Sequence, residues 1–159
     1  MTLTAPLTTE EKREIAEEQR RYPDRRTACV EALKIAQRSR GWISDETLRE
    51  LAFHLGMTAD ELDGVATFYN MIFRQPVGRH VIFLCDSVSC WVMGEEALRS
   101  QLKQRLGIDF GQTTPDREYT LLPVACLGVC DHAPALLLDR ELHDDLTEKK
   151  IDLLIGRRG

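Results

Sequence analysis

Apolar residues recur every three or four positions through roughly the first seventy residues, then give way to short continuous runs. The first pattern is that of amphipathic helices and the second that of buried strands alternating with helices. Cys29, Ala32, Leu33 and Ala36 fall at i, i+3, i+4 and i+7, which predicts a helix that Gly41 ends. Leu48, Leu51, Ala52 and Leu55 repeat the spacing, with Ser44 as its start and Gly56 as its stop. Thr8 with Glu11 and Thr58 with Glu61 have the spacing of capping boxes, and Met57 with Leu62 that of a hydrophobic staple. Short connections between such helices favour a small bundle.

The pattern changes at a Pro/Gly connection, Arg74 to Gly78. Beyond it, Val81–Leu84 reads as a buried strand that ends at Cys85. Gly94–Leu106 reads as a helix, with Leu98, Leu102 and Leu106 on one face and Gly107 closing it. Residues 111–116 read as a loop and Glu118–Ala125 as a second strand, where Pro123 suggests an edge position or a distortion. Pro134–Leu138 and Glu141–His143 form a predicted hairpin across Asp139 and Arg140, and Thr147–Ile155 a last helix ended by Gly156. The order β-α-β-β-β-α belongs to an α/β arrangement of helices against one sheet. The sequence has no internal repeat and no low-complexity tract.

Composition removes several function classes. Formal net charge is −5 over 159 residues, whereas nucleic-acid binders present a basic face. Arg20, Arg21, Arg25 and Arg26 make a local basic cluster, read here as a solvated helix end. No apolar run approaches the ~20 residues of a membrane span, so direct membrane insertion is not expected. Residues 1–10 lack the basic and apolar regions of a secretory signal, which predicts a cytoplasmic chain. Clustered cysteines in that compartment bind metal or do redox work more often than they form disulfides.

Four of the five cysteines form two tight pairs. Four residues separate Cys85 from Cys90, and three separate Cys126 from Cys130. Each pair begins where a predicted strand ends, so both are expected on loops at one end of the sheet. Soft thiolate donors suit iron–sulfur clusters and zinc, and the spacing alone leaves both open. A thioredoxin-type dithiol enzyme is disfavoured because there is no C-x-x-C. Gly128, between the second pair, supplies a backbone free to turn around a bulky group. Val88, Trp91, Val92, Leu127, Val129 and Ala133 are expected to cover the site. Cys29, on a helical apolar face, reads as core. No two of His54, His80, His132 and His143 show metal-ligand spacing, and only His132 is close to the cysteines in sequence.

These residues resemble a known family. Cys-x4-Cys, 35 intervening residues, then Cys126-Leu127-Gly128-Val129-Cys130 followed by Ala133-Pro134, is similar to the thioredoxin-like 2Fe–2S ferredoxin subunit of NADH:quinone oxidoreductase, the E subunit of bacterial respiratory complex I. The likeness extends to Gly64-Val65-Ala66-Thr67-Phe68-Tyr69, Gly111-Gln112-Thr113-Thr114-Pro115 and Leu146-Thr147-Glu148-Lys149, so it covers about Glu10 to Ile155. It implies an N-terminal helical bundle (1–75) followed by a thioredoxin-like domain with a small mixed sheet (76–159). It also implies that Cys85, Cys90, Cys126 and Cys130 ligate a 2Fe–2S cluster, with no catalytic residue on this chain. The implied partners are the NADH-binding subunit, which carries FMN, and other iron–sulfur subunits of the peripheral arm. It further implies a place on the cytoplasmic side of the inner membrane as part of that complex. No Gly-rich dinucleotide fingerprint occurs here, which fits NADH and FMN sites on the partner. In the family the cluster lies off the main chain toward quinone, as a side reservoir.

Two alternatives accompany this reading. The same module serves in the diaphorase parts of NAD-linked hydrogenases and formate dehydrogenases. A zinc-bearing structural or DNA-binding protein is the other, with Ser44–Tyr69 as a helix-turn-helix; acidic charge opposes it. Phe68, Tyr69 and Phe73 read either as docking contacts or as closure of the bundle core. Asp86 and Asp131 adjoin cysteines, and negative charge there disfavours reduction.

Overall fold

The computed structural model describes residues 6–156, so the reading of residues 1–10 as free of a secretory signal lies partly outside it. The chain divides into two compact units after Pro76.

Among its described residues, the first unit holds four α-helices, α1 (Thr9–Gln19), α2 (Cys29–Arg40), α3 (Asp45–Leu55) and α4 (Ala59–Phe68), and a 3-10 turn over Arg25–Ala28. Local rules set their ends. Thr8 and Thr58 each close a full capping box with Glu11 and Glu61, and the Ser44 hydroxyl accepts from the Thr47 N–H. Gly41 and Gly56 end α2 and α3 in the left-handed conformation that glycine adopts without strain. The apolar faces meet in a core with Ile15, Leu33, Ile43, Leu51, Leu55 and Leu62 at its centre, and Cys29 and Met57 pack at its margin. Arg40 forms a buried ion pair with Glu11. Arg74 bridges Asp63 and Asp45, each at 2.6 Å.

The second unit is the mixed α/β layer: β1 (His80–Cys85), α5 (Val88–Val92), α6 (Glu95–Leu106), β2 (Gln112–Thr113), β3 (Tyr119–Val124), β4 (Leu136–Leu138), β5 (Glu141–His143) and α7 (Glu148–Gly156). The sheet order is β2-β3-β1-β4-β5, with β1 and β3 parallel and every other pair antiparallel. Parallel neighbours need a crossover, and α5 with α6 supplies it. Leu98 and Leu102 of α6 and Ile151 of α7 pack on Ile82, Leu84, Leu121, Leu136 and Leu138 of the sheet.

Three local expectations change. Residues 111–116 contain β2, two residues too few to show a period but paired to β3, with Thr113 and Thr120 hydroxyls 2.7 Å apart. Pro123 does not mark an edge, because β3 lies between β2 and β1. Tyr119 and Leu121 accept hydrogen bonds from the β2 side, so Pro123, in phase with them, turns its missing N–H to that side. There β2 has already stopped at the level of Leu121. Finally, Cys90 sits in the short helix α5 rather than in a loop.

Gly78 fixes how the chain enters the sheet. A Cβ at this position would lie 2.9 Å from the Tyr119 backbone, while its own N–H donates to the Thr120 hydroxyl at 2.6 Å. Among the described residues, no helix is long and apolar enough to cross a membrane.

Candidate metal centre

Both cysteine pairs arise at one end of the sheet because β1 and β3 run parallel and each pair begins at or just beyond a strand's carboxyl end. In their register Cys85 stands opposite Val124, and Cys126 follows two residues later. Two backbone bonds fix this end: Asp86 N–H donates to the Val124 carbonyl at 3.0 Å, and Cys85 N–H to the Ala135 carbonyl at 3.1 Å. Cys85, Cys90 and Ala133 are buried together, with Val124 and Leu127 packed against them. Leu127 lies between the second pair in sequence and Ala133 three residues beyond it, so the two cysteine-bearing segments share one apolar nest.

The sulfurs stand as two pairs. The Cys126 and Cys130 Sγ atoms are 3.8 Å apart on the solvent-facing side. Cys85 and Cys90 are buried close enough together that each shifts the other's thiol. Burial pushes Cys85 up, but hydrogen bonds from Ser87, Cys90 and the Leu127 N–H outweigh it and hold the thiol below its ordinary value. Burial, with the neighbouring Cys85, pushes Cys90 up. The Ser87 hydroxyl lies 3.3 Å from the Cys85 sulfur. Gly128, with φ of 80°, donates its N–H to the Cys126 sulfur at 3.3 Å.

Four thiol donors at one end of β1 and β3 are what a two-iron cluster takes, and they suit zinc as well. All four cysteines are free, and the N–H and O–H donors aimed at sulfur suit an anionic cluster.

A polar strut backs the second segment. Cys130–His132 form a single 3-10 turn, and the His132 ring lies 3.0 Å from Asp145. The Asp145 N–H donates to the His132 carbonyl at 2.8 Å, and the Leu146 N–H to the Pro134 carbonyl at 3.0 Å. The hydrogen bond to Asp145 and the nearby Asp131 charge hold the His132 pKa above its ordinary value.

The expected apolar cover is only half present. Leu127, Val129 and Ala133 are partly or fully buried, whereas Val88, Trp91 and Val92 are 60–72% exposed. On a five-residue helix that buries Cys90, the flanking positions turn outward. Phe68 and Tyr69 are also exposed, so they do not close the bundle core. Ser87 is a side-chain contact to sulfur without a sequence signal; only its place two residues after Cys85 hints at it.

The family model described as thioredoxin-like 2Fe-2S ferredoxin matches residues 15–158, and this chain belongs to that family. The chain is 49% identical over 140 residues to the E subunit of NADH-quinone oxidoreductase from Pseudomonas aeruginosa, covering 88% of this chain and 84% of the relative. It is 46% identical over 151 residues to the corresponding E subunit of Escherichia coli, covering 95% and 91%. The resemblance drawn from the cysteine spacing is thus met by relatives along most of the chain. Among solved structures, an NAD+-reducing NiFe hydrogenase in its air-oxidised state is similar with a TM-score of 0.71 and 29% identity. That match covers 82% of this chain but 22% of the hydrogenase chain, so this chain spans about a fifth of it.

Proposed function

We propose that Cys85, Cys90, Cys126 and Cys130 hold a 2Fe–2S cluster, and that the chain is an electron-transfer subunit of NADH:quinone oxidoreductase. The cluster would exchange single electrons with the FMN of an NADH-binding partner subunit, alongside other iron–sulfur subunits of a peripheral arm on the cytoplasmic side of the membrane. The observation that carries this is the pairing of sulfurs at the shared end of β1 and β3. The quinone-oxidoreductase relatives, at 46–49% identity, support this reading.

A 2Fe–2S centre supplies reversible one-electron storage. This chain's residues supply the rest. Cys85 and Cys90 anchor the buried side, and Leu127 and Ala133 keep water from it. Cys126 and Cys130 face outward and set the edge nearest a redox partner. The Gly128 N–H and the Ser87 O–H stabilise negative charge on sulfur. The unit beyond residue 76 thus serves as the cluster-bearing domain. Residues 1–75 serve as a docking bundle that presents Phe68 and Tyr69.

A second reading has its own support. The hydrogenase match, with its TM-score of 0.71, favours an equivalent diaphorase subunit of an NAD-linked hydrogenase or formate dehydrogenase. Affinity purification of the tagged chain from its native host separates the two. Co-purifying quinone-reductase subunits support the first reading, and hydrogenase or formate dehydrogenase subunits overturn it.

A further inference from the structure

Ser87 occupies the N-cap of α5, where a serine hydroxyl ordinarily accepts a hydrogen bond from the N–H two or three residues on. It makes no such bond here. The hydroxyl is instead turned back toward the Cys85 sulfur at 3.3 Å, within hydrogen-bond reach for sulfur. The helix therefore forgoes its cap, and the hydroxyl serves the metal-binding segment.

Resting on the 2Fe–2S reading above, we propose that Ser87 is a positioning residue that sets the reduction potential of the cluster through an O–H···S hydrogen bond to Cys85. The direction of donation follows from the chemistry. A ligating cysteine has lost its thiol proton, so only the serine hydroxyl has one to give. Reduction adds negative charge that spreads over the ligand sulfurs, and a donor aimed at one of them stabilises the reduced state more than the oxidised state. Ser87 therefore raises the potential, and removing its hydroxyl lowers it.

Three variants of the full-length chain isolate the hydroxyl. Ser87→Ala removes it without uncapping α5, since the side chain makes no capping bond. Ser87→Thr keeps it, and Ser87→Val matches threonine in shape without it. The readouts are iron and sulfide content, an EPR-monitored redox titration, and the EPR g values of the reduced form. Ser87→Ala and Ser87→Val should lower the reduction equilibrium constant by about three- to tenfold, the upper end being ~59 mV for a one-electron couple. Ser87→Thr should stay close to the parent protein. If the two hydroxyl-free variants lose iron while Ser87→Thr retains it, the hydroxyl is needed to hold Cys85, which also supports the assignment. Unchanged potentials in Ser87→Ala and Ser87→Val overturn it, as does the same shift or the same iron loss in all three. A parent protein that carries no 2Fe–2S cluster would instead overturn the functional reading on which this rests.

Discussion

Cys85 stands opposite Val124 in the parallel register of β1 and β3, and this pairing brings distant parts of the chain to one place. Forty intervening residues separate Cys85 from Cys126 in sequence, yet each lies at the carboxyl end of a neighbouring strand. The intervening crossover costs the chain loop-closure entropy, which burial of Leu98 and Leu102 offsets. The site is therefore a product of topology, and its integrity depends on the sheet as much as on the cysteines.

Each of the four paired cysteines should be necessary, and the fifth should not. Cys130→Ala and Cys85→Ala are expected to yield protein with little iron, because a two-iron cluster then lacks one ligand. Cys29→Ala should retain full iron content, since Cys29 packs at the margin of the helical core. It should cost no more than about 1 kcal/mol of stability. Iron analysis and urea unfolding of the three variants check this.

Acid sensitivity of the helical unit should trace to Glu11. Burial alone would raise its pKa, but hydrogen bonds from Arg40, Ser39 and the Thr8 N–H hold it at about 2. A carboxylate whose pKa is depressed in the folded state stabilises that state fully above its unfolded value near 4.5, and the contribution disappears as pH falls toward 2. Its size is about 3 kcal/mol. Glu11→Gln should destabilise the protein by about 2–4 kcal/mol at pH 7 and flatten the loss of stability between pH 5 and pH 2. Thermal unfolding followed by circular dichroism across that range reads both effects.

Gly78→Ala should destabilise the α/β unit by about 1–3 kcal/mol, because its methyl group meets main-chain atoms rather than a movable side chain. Ala at Gly64, where an added Cβ meets nothing within 4 Å in mid-α4, provides the contrast. That change should be neutral or stabilising, since alanine is the better helix former. Urea midpoints of the two variants distinguish them.

Asp131 lies next to Cys130, with its side chain 80% exposed and His132 3.6 Å away. Replacing it with asparagine removes negative charge near the cluster and should raise the potential. Water and the adjacent imidazole screen that charge, so the change should stay below about threefold in the reduction equilibrium. An EPR redox titration of Asp131→Asn tests both sign and size.

Much of the helical unit is legible in the sequence because its signals are local. Thr8, Ser44 and Thr58 start helices and Gly41 and Gly56 end them by contacts within a few residues. The paired cysteines are legible for the same reason: spacing and residue type are properties of the sequence. Features that depend on distant partners are not. β2 exists because Thr113 pairs with Thr120, and Pro123 is tolerated inside the sheet because a neighbouring strand stops short. Val88, Trp91 and Val92 resemble cover by composition, but burying Cys90 on a short helix turns them to solvent. The Ser87 contact follows from a rotamer choice that no spacing rule reveals.

Two irons held by two sulfur pairs at the carboxyl ends of β1 and β3 are what the proposed function requires. Anaerobic purification followed by iron, sulfide and zinc analysis, with EPR of the reduced protein, tests it most directly. The expected result is a reddish-brown protein with about two irons and two sulfides per chain and a single-cluster EPR signal on one-electron reduction. A colourless protein with about one zinc per chain and no such signal would contradict it.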